Sequence, residues 1–173
     1  MSRCRSLALL LAAWPMVASA QPAVGQMQLP VRPACVSSPF GDRPSPGPLA
    51  IGFHRGIDIR APAGAAIYAV ADGHVSSIHR RGPGGLEMAI SHQGTAGAYV
   101  SLYAHLGQIA PAFAGGRSVV HAGDRIGVVG RSGVIYGTHL YFQLLVGGIP
   151  VDPAPYFGMI ACPKKTTGNA REP

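Results

Sequence analysis

Three short stretches carry side chains that could do chemistry together. His54-Arg55-Gly56-Ile57-Asp58 sets an imidazole and a carboxylate four residues apart. Tyr103-Ala104-His105-Leu106 closes an apolar run with a second imidazole, and Gly137-Thr138-His139-Leu140-Tyr141-Phe142-Gln143 presents a third beside a phenol. Strand periodicity puts His139 and Tyr141 on one face, with Leu140 and Phe142 on the other. The same even spacing places His54 and Asp58 together at the start of a strand. Imidazole nitrogen and carboxylate oxygen are donors that a divalent metal accepts, and further imidazoles can handle protons. Each residue alone has a bland reading, a partly exposed polar group at a strand end; only the set points to metal-assisted chemistry. His74, His79, His92 and His121 lie outside these stretches and read as surface or hydrogen-bonded histidines.

The elements that must position this set are strands. Gly and Pro, 24 and 16 in number, interrupt every stretch in which an amphipathic helix of 12 residues might be drawn. Alternation and β-rich composition predict strands over 56–60, 66–71, 74–79, 86–92, 98–105, 118–121, 125–129 and 138–146, with a return at 149–151. Asp72-Gly73 and Gly147-Gly148 are two-residue hairpin signals. Pro44, Pro46 and Pro48 mark a long loop ahead of the first expected strand. Short strands at this spacing predict an all-β domain, a single antiparallel β-sandwich or open barrel with long loops.

The chain's ends read differently. Arg3 and Arg5, an apolar run from Leu7 to Trp14, and Ala18-Ser19-Ala20 form a secretory signal over residues 1–20. The run is shorter than the ~20 apolar residues a bilayer needs, so no membrane anchor is expected after cleavage. Residues 21–36 read as a flexible lead, 37–162 as the domain and 163–173 as a disordered tail. Loss of Arg3 and Arg5 takes the formal charge from +7 to +5. The remaining basic residues are scattered and aromatics are few, which argues against nucleic acid. Cys35 and Cys162 bracket the domain, and in an oxidising compartment such a pair is most simply a disulfide.

The motifs, taken in order, resemble a known family. Ser38-Pro39-Phe40-Gly41 with Arg43, His54-x-Gly56-x-Asp58, Ala61-Pro62-x-Gly64, Ala71-x-Gly73-x-Val75, Tyr103-x-His105-Leu106, Gly123-Asp124-x-Ile126-Gly127, Gly137-Thr138-His139-Leu140-x-Phe142 and Val151-Asp152-Pro153 are similar to the signatures of lysostaphin- or LytM-type zinc endopeptidases, over residues 37–157. The resemblance implies an antiparallel core of the duplicated-hybrid-motif type, action on the peptide part of bacterial peptidoglycan, and an exported protein, periplasmic or extracellular. It implies one zinc ion held by His54 and Asp58, with His105 and His139 as the catalytic imidazoles beside the metal-bound water. The family's remaining ligand is the second His of a His-x-His pair, and that position is Tyr141 here.

A hydrolytic zinc normally has three protein ligands and a water whose pKa it lowers to about 7. A phenol titrates near pH 10 and must lose its proton to ligate well. Tyr141 is therefore a doubtful metal ligand, and the expected outcome is impaired or absent hydrolysis in a protein that binds the cell wall or regulates a wall hydrolase partner. The alternative is an active zinc-dependent endopeptidase. Arg43 and Arg55 are candidates to meet a substrate carboxylate, because a guanidinium presents a planar fork to such groups.

Overall fold

The computed structural model describes residues 27–44, 47, 52–95 and 97–163. The expected signal, residues 21–26 of the lead, Pro46 and Pro48, and the tail from 164 lie outside the described residues.

Thirteen strands run in chain order: β1 (Val36–Ser38), β2 (Gly41–Asp42), β3 (Phe53–His54), β4 (Ile57–Arg60), β5 (Ala66–Tyr68), β6 (Gly73–His79), β7 (Glu87–Gly94), β8 (Gly97–Ala104), β9 (Leu106–Ile109), β10 (Val119–Val120), β11 (Arg125–Val129), β12 (His139–Val146) and β13 (Ile149–Val151). Two four-residue helices, α1 (Pro111–Ala114) and α2 (Ala154–Phe157), complete the described elements. The domain is nearly all-β and its strand pairs are antiparallel, as expected.

One large sheet runs β1-β4-β12-β8-β7-β6-β10, with β13 added to β12. A smaller sheet, β5-β11-β9, stands separately, and β2 pairs with β3. The reason for two layers lies in the alternation of β12: Leu140, Phe142 and Leu144 are fully buried, while His139, Tyr141 and Gln143 between them are half-buried. Ile57 and Ile59 of β4 and Tyr103 of β8 join the buried row from the large sheet. Ile67 and Ile126 join it from the small one, and all belong to one apolar cluster. Burying a side chain of this size is worth roughly 1.5–3 kcal/mol, so the sheet's core face fixes its register. The opposite face is then left to polar residues.

Several expectations need correction. Asp72-Gly73 is not a hairpin turn: β5 pairs with β11 in the small sheet, whereas β6, which begins at Gly73, pairs with β7 and β10. The chain crosses between layers there. Gly147-Gly148 does close a hairpin, with both φ values positive (57° and 80°) and Val146 facing Ile149. Two strands precede the proline-rich loop, since β2 and β3 flank it. His54 and Asp58 stand on separate strands, β3 and β4, with a bend at Arg55-Gly56 between them. Residues 27–36 lie against the domain, with Met27 and Val31 buried and the Gln28 amide donating to the Val70 carbonyl at 2.8 Å.

Cys35 and Cys162 form a disulfide across 127 residues of sequence. Among the described residues no helix is long and apolar enough to cross a membrane.

Candidate functional site

The polar face of the large sheet floors a cavity of about 790 Å³. Asp58 from β4 lies opposite Tyr141 of β12 in strand register, and Ala104 of β8 lies opposite Tyr141 on the other side. His54 at the end of β3, His105 just past β8, and His139 at the start of β12 enter the same cavity. Sequence spacing alone gives the pairing of His139 with Tyr141; the sheet order β4-β12-β8 brings the rest to them.

Asp58 is the hub. Its Oδ1 is 3.3 Å from His54 Nε2 and 3.2 Å from His139 Nε2, and its Oδ2 is 3.4 Å from Arg43 Nη1. Arg43 also donates to the Ser38 hydroxyl of β1. Burial opposes the charge on Asp58, but hydrogen bonds and charge from His139 and His54 outweigh it and hold the carboxyl well below the usual carboxylate range. Arg43 thus meets the chain's own carboxylate, while Arg55 lines the cavity wall.

Each imidazole is fixed from behind by a main-chain carbonyl. The Nδ1 atoms of His54, His105 and His139 are 2.8, 2.9 and 2.9 Å from the oxygens of Pro39, Ser132 and Gly137. A carbonyl oxygen only accepts, so Nδ1 carries the proton in each ring. His105 is held further by its backbone, the sole non-glycine residue with positive φ (62°) among the described residues. That conformation ends β8 and turns the ring toward His139, with ring centroids 5.0 Å apart. Burial lowers the His105 pKa from the ordinary imidazole value, partly offset by its bond to Ser132.

Tyr141 fills the space between these rings, 5.4 Å from His54 and 6.2 Å from His105. Gly56 makes the room: a Cβ there would fall 2.9 Å from the phenol ring and 2.4 Å from the Phe142 carbonyl. The hydroxyl donates along the strand to Gln143 Oε1 at 3.1 Å. Burial first, and then the negative charge of Asp58, push this phenol well above its ordinary pKa. The sequence reading missed Gln143, whose position two residues beyond Tyr141 on the same strand face was the available signal. It also missed Glu87 in the cavity wall and the roles of Ser38 and Ser132, which no local spacing marks.

An antiparallel β domain with histidines and an aspartate gathered on one sheet face has the architecture of the lysostaphin-like metallopeptidases. The chain belongs to peptidase family M23, whose profile matches residues 52–153. It is 38% identical over 118 residues to the DD-carboxypeptidase/endopeptidase Mpg of Neisseria meningitidis, an alignment covering 68% of this chain and 26% of the relative. It is 32% identical over 99 residues to the peptidoglycan DD-endopeptidase ShyB of Vibrio cholerae, covering 57% of this chain and 22% of that one. The chain therefore spans about a quarter of the length of these curated relatives. A zinc-containing peptidase from Vibrio cholerae superposes with a TM-score of 0.62 at 29% identity, over 75% of this chain and 39% of that one. The catalytic domain of lysostaphin from Staphylococcus simulans shares the fold at 23% identity, with a TM-score of 0.59 over 71% of this chain and 91% of that domain.

The family implies zinc, and the residues that the resemblance points to are unequal as donors. His54 and Asp58 suit the ion. Tyr141 does not, because its hydroxyl is already donated to Gln143 and its ionisation is pushed upward. Among the described residues no group of three or more His, Cys, Asp or Glu side chains is placed to hold a metal ion.

Proposed function

We propose that this chain is an exported, peptidoglycan-directed domain that takes the wall's peptide stem into its cleft and hydrolyses it poorly or not at all, acting as a cell-wall binding or regulatory protein. The observation that carries this reading is the Tyr141 hydroxyl bonded to Gln143 where the family resemblance calls for an imidazole ligand. In metal sites the loss of an outer partner alone costs 10- to 100-fold in affinity or activity, and loss of a ligand exceeds that. The cleft itself is kept: it is open, it retains Asp58 and the three imidazoles, and Arg55 lines its wall beside apolar Val134 and Ile135. Such a mixed lining suits a peptide with free carboxylates. Export is supported by the leader-like first 20 residues and by the disulfide.

A second reading, an active zinc endopeptidase, has specific support in the convergence of His54, Asp58, His105 and His139 and in the names of the relatives. Incubation of the purified protein with isolated peptidoglycan in excess zinc separates the two. The expected result is co-sedimentation with the wall and no release of soluble muropeptides above a metal-free control. Steady release at the rate of an ordinary wall hydrolase would overturn the first reading. Tyr141→His should raise muropeptide release by at least about 100-fold, equivalent to about 2.7 kcal/mol of barrier. An unchanged rate in a folded Tyr141→His protein would place the defect elsewhere.

A further inference from the structure

One carboxylate in the cleft has no counterpart. Glu87 opens β7, and the register that sets Met88 against Tyr103 brings it level with Ala104 of β8. Ala104 faces Tyr141, and Tyr141 faces Asp58. Glu87, Ala104, Tyr141 and Asp58 therefore form one row across four strands, and all four line the cavity. With strands about 4.8 Å apart, the two acidic positions stand about 14 Å from each other along that row. Their surroundings differ. Asp58 meets Arg43, His54 and His139, whereas the Glu87 carboxylate has no ion-pair or hydrogen-bond partner among the described residues. His79 lies opposite Glu87 on β6 without closing an ion pair, and its charge offsets only part of the burial that pushes the Glu87 pKa up.

The carboxylate is nevertheless seated. A Cβ on Gly84 would overlap it, so the turn ahead of β7 leaves room at that residue, and the carbonyl of the same glycine accepts from the His105 amide at 2.9 Å. Glu87 thus stands beside the loop that holds a cleft imidazole. The β4 side of the cavity has the opposite sign. Arg55 lines it together with Arg60, which is level with His139, and neither guanidinium has an ion-pair partner among the described residues. An unpartnered, partly desolvated carboxylate favours a cation that carries hydrogens to donate, because a charge-assisted hydrogen bond is roughly twice as strong as a neutral one.

We propose that Glu87 is the specificity residue of the cleft and receives a free ammonium group of the bound peptide, whose carboxylate lies at the β4 side against Arg60. The row spans roughly four residues of extended chain. A short peptide carrying both charges fits in one direction, since reversal would set carboxylate against carboxylate and ammonium against guanidinium. The inference rests on the reading of the cleft as a peptide site, and it holds whether or not that peptide is cut.

Calorimetric titration with pairs of synthetic pentapeptides tests the assignment. Each pair carries one lysine, free in one member and acetylated in the other, placed at each position in turn. At one or more positions the free-amine peptide should bind wild type at least about fivefold more tightly than its acetylated twin. That preference should fall below about twofold in Glu87→Gln. Gly84→Ala, which displaces the carboxylate without removing it, should shrink the preference in the same direction. C-terminal amidation should weaken binding to wild type and leave binding to Arg60→Gln unchanged. Urea midpoints of the variants confirm that each is folded. Equal affinity for both members of every pair, or a preference that survives Glu87→Gln, would overturn the proposal while co-sedimentation with peptidoglycan keeps the wall-binding reading standing. Binding to none of the peptides overturns it as well, and failure to co-sediment with the wall then takes the wall-binding reading with it.

Discussion

The large sheet carries a histidine-and-tyrosine cluster on each face, and the two are built to opposite rules. On the core face, His92 of β7 stands with Ser101 and Tyr103 of β8; on the cleft face, His54, His105 and His139 stand with Tyr141. In the core cluster His92 Nδ1 is 2.7 Å from the Asp72 carbonyl and Nε2 is 2.7 Å from Ser101 Oγ. Ser101 lies 3.2 Å from the Tyr103 hydroxyl, which accepts from the Val70 amide at 3.1 Å. Every polar atom of this row has a partner: Val70 and Ser101 both give to the Tyr103 hydroxyl, His92 Nε2 meets Ser101 Oγ, and His92 Nδ1 gives to the Asp72 carbonyl. In the cleft His54 and His139 instead converge on one oxygen of Asp58, and Tyr141 turns away to Gln143. The core row is sealed from solvent, whereas the cleft row lines an open cavity. Residue type alone, a His near a Tyr on a strand, does not separate the two cases.

The comparison can be broken or sharpened from the core side. Phe142→Ala removes a fully buried ring that packs edge-on against Tyr103 and Phe157. It should cost about 3–5 kcal/mol in urea denaturation, and the adjacent Gln143→Ala on the cleft face less than about 1 kcal/mol. Equal losses would mean that the two faces are not energetically distinct.

Tyr103→Phe opens the closed row, leaving the Val70 amide and the Ser101 hydroxyl without their shared acceptor. About 1–3 kcal/mol of stability should be lost, and co-sedimentation with peptidoglycan should not change. A shift in wall binding would show that the faces are coupled through β8.

The smallest effect is in pH. Burial depresses the pKa of His92, opposed by its bond to the Asp72 carbonyl. The unfolded chain then takes up the proton first, so the contribution is complete above the unfolded value near 6.5 and is lost as pH falls through the folded value. His105, also depressed by burial, adds to the same window. Urea midpoints at pH 7.5 and 5.5 should show the protein weaker at 5.5, and His92→Gln should show a shallower difference. A midpoint that rises on acidification would contradict the closed row.

Much of this was legible in the sequence, where the evidence is local. The alternation from His139 to Gln143 sorts itself into cleft and core, and Gly147-Gly148 supplies the turn geometry that its hairpin needs. Asp72-Gly73 offers the same turn chemistry, but β5 and β6 find partners far along the chain, and no dipeptide reports a crossover between layers. The short strands β1, β2 and β3 are too brief for periodicity to register, although they carry Ser38 and His54. The family resemblance names the site residues without saying which ring comes nearest Asp58. Register puts Tyr141 directly opposite it, yet His139 makes the contact, because side-chain length and the Gly137 carbonyl decide where each ring ends.

His105 carries one consequence beyond its position. A left-handed backbone at a residue with a Cβ costs roughly 1–2 kcal/mol, and a glycine in its place would be at ease. The chain keeps the imidazole there instead, anchored at 2.9 Å to Ser132. The domain is thus less stable than its own topology would permit, and that shortfall is concentrated at one turn of the cleft rather than spread through the sheets. Among the described residues no other side chain bears that cost.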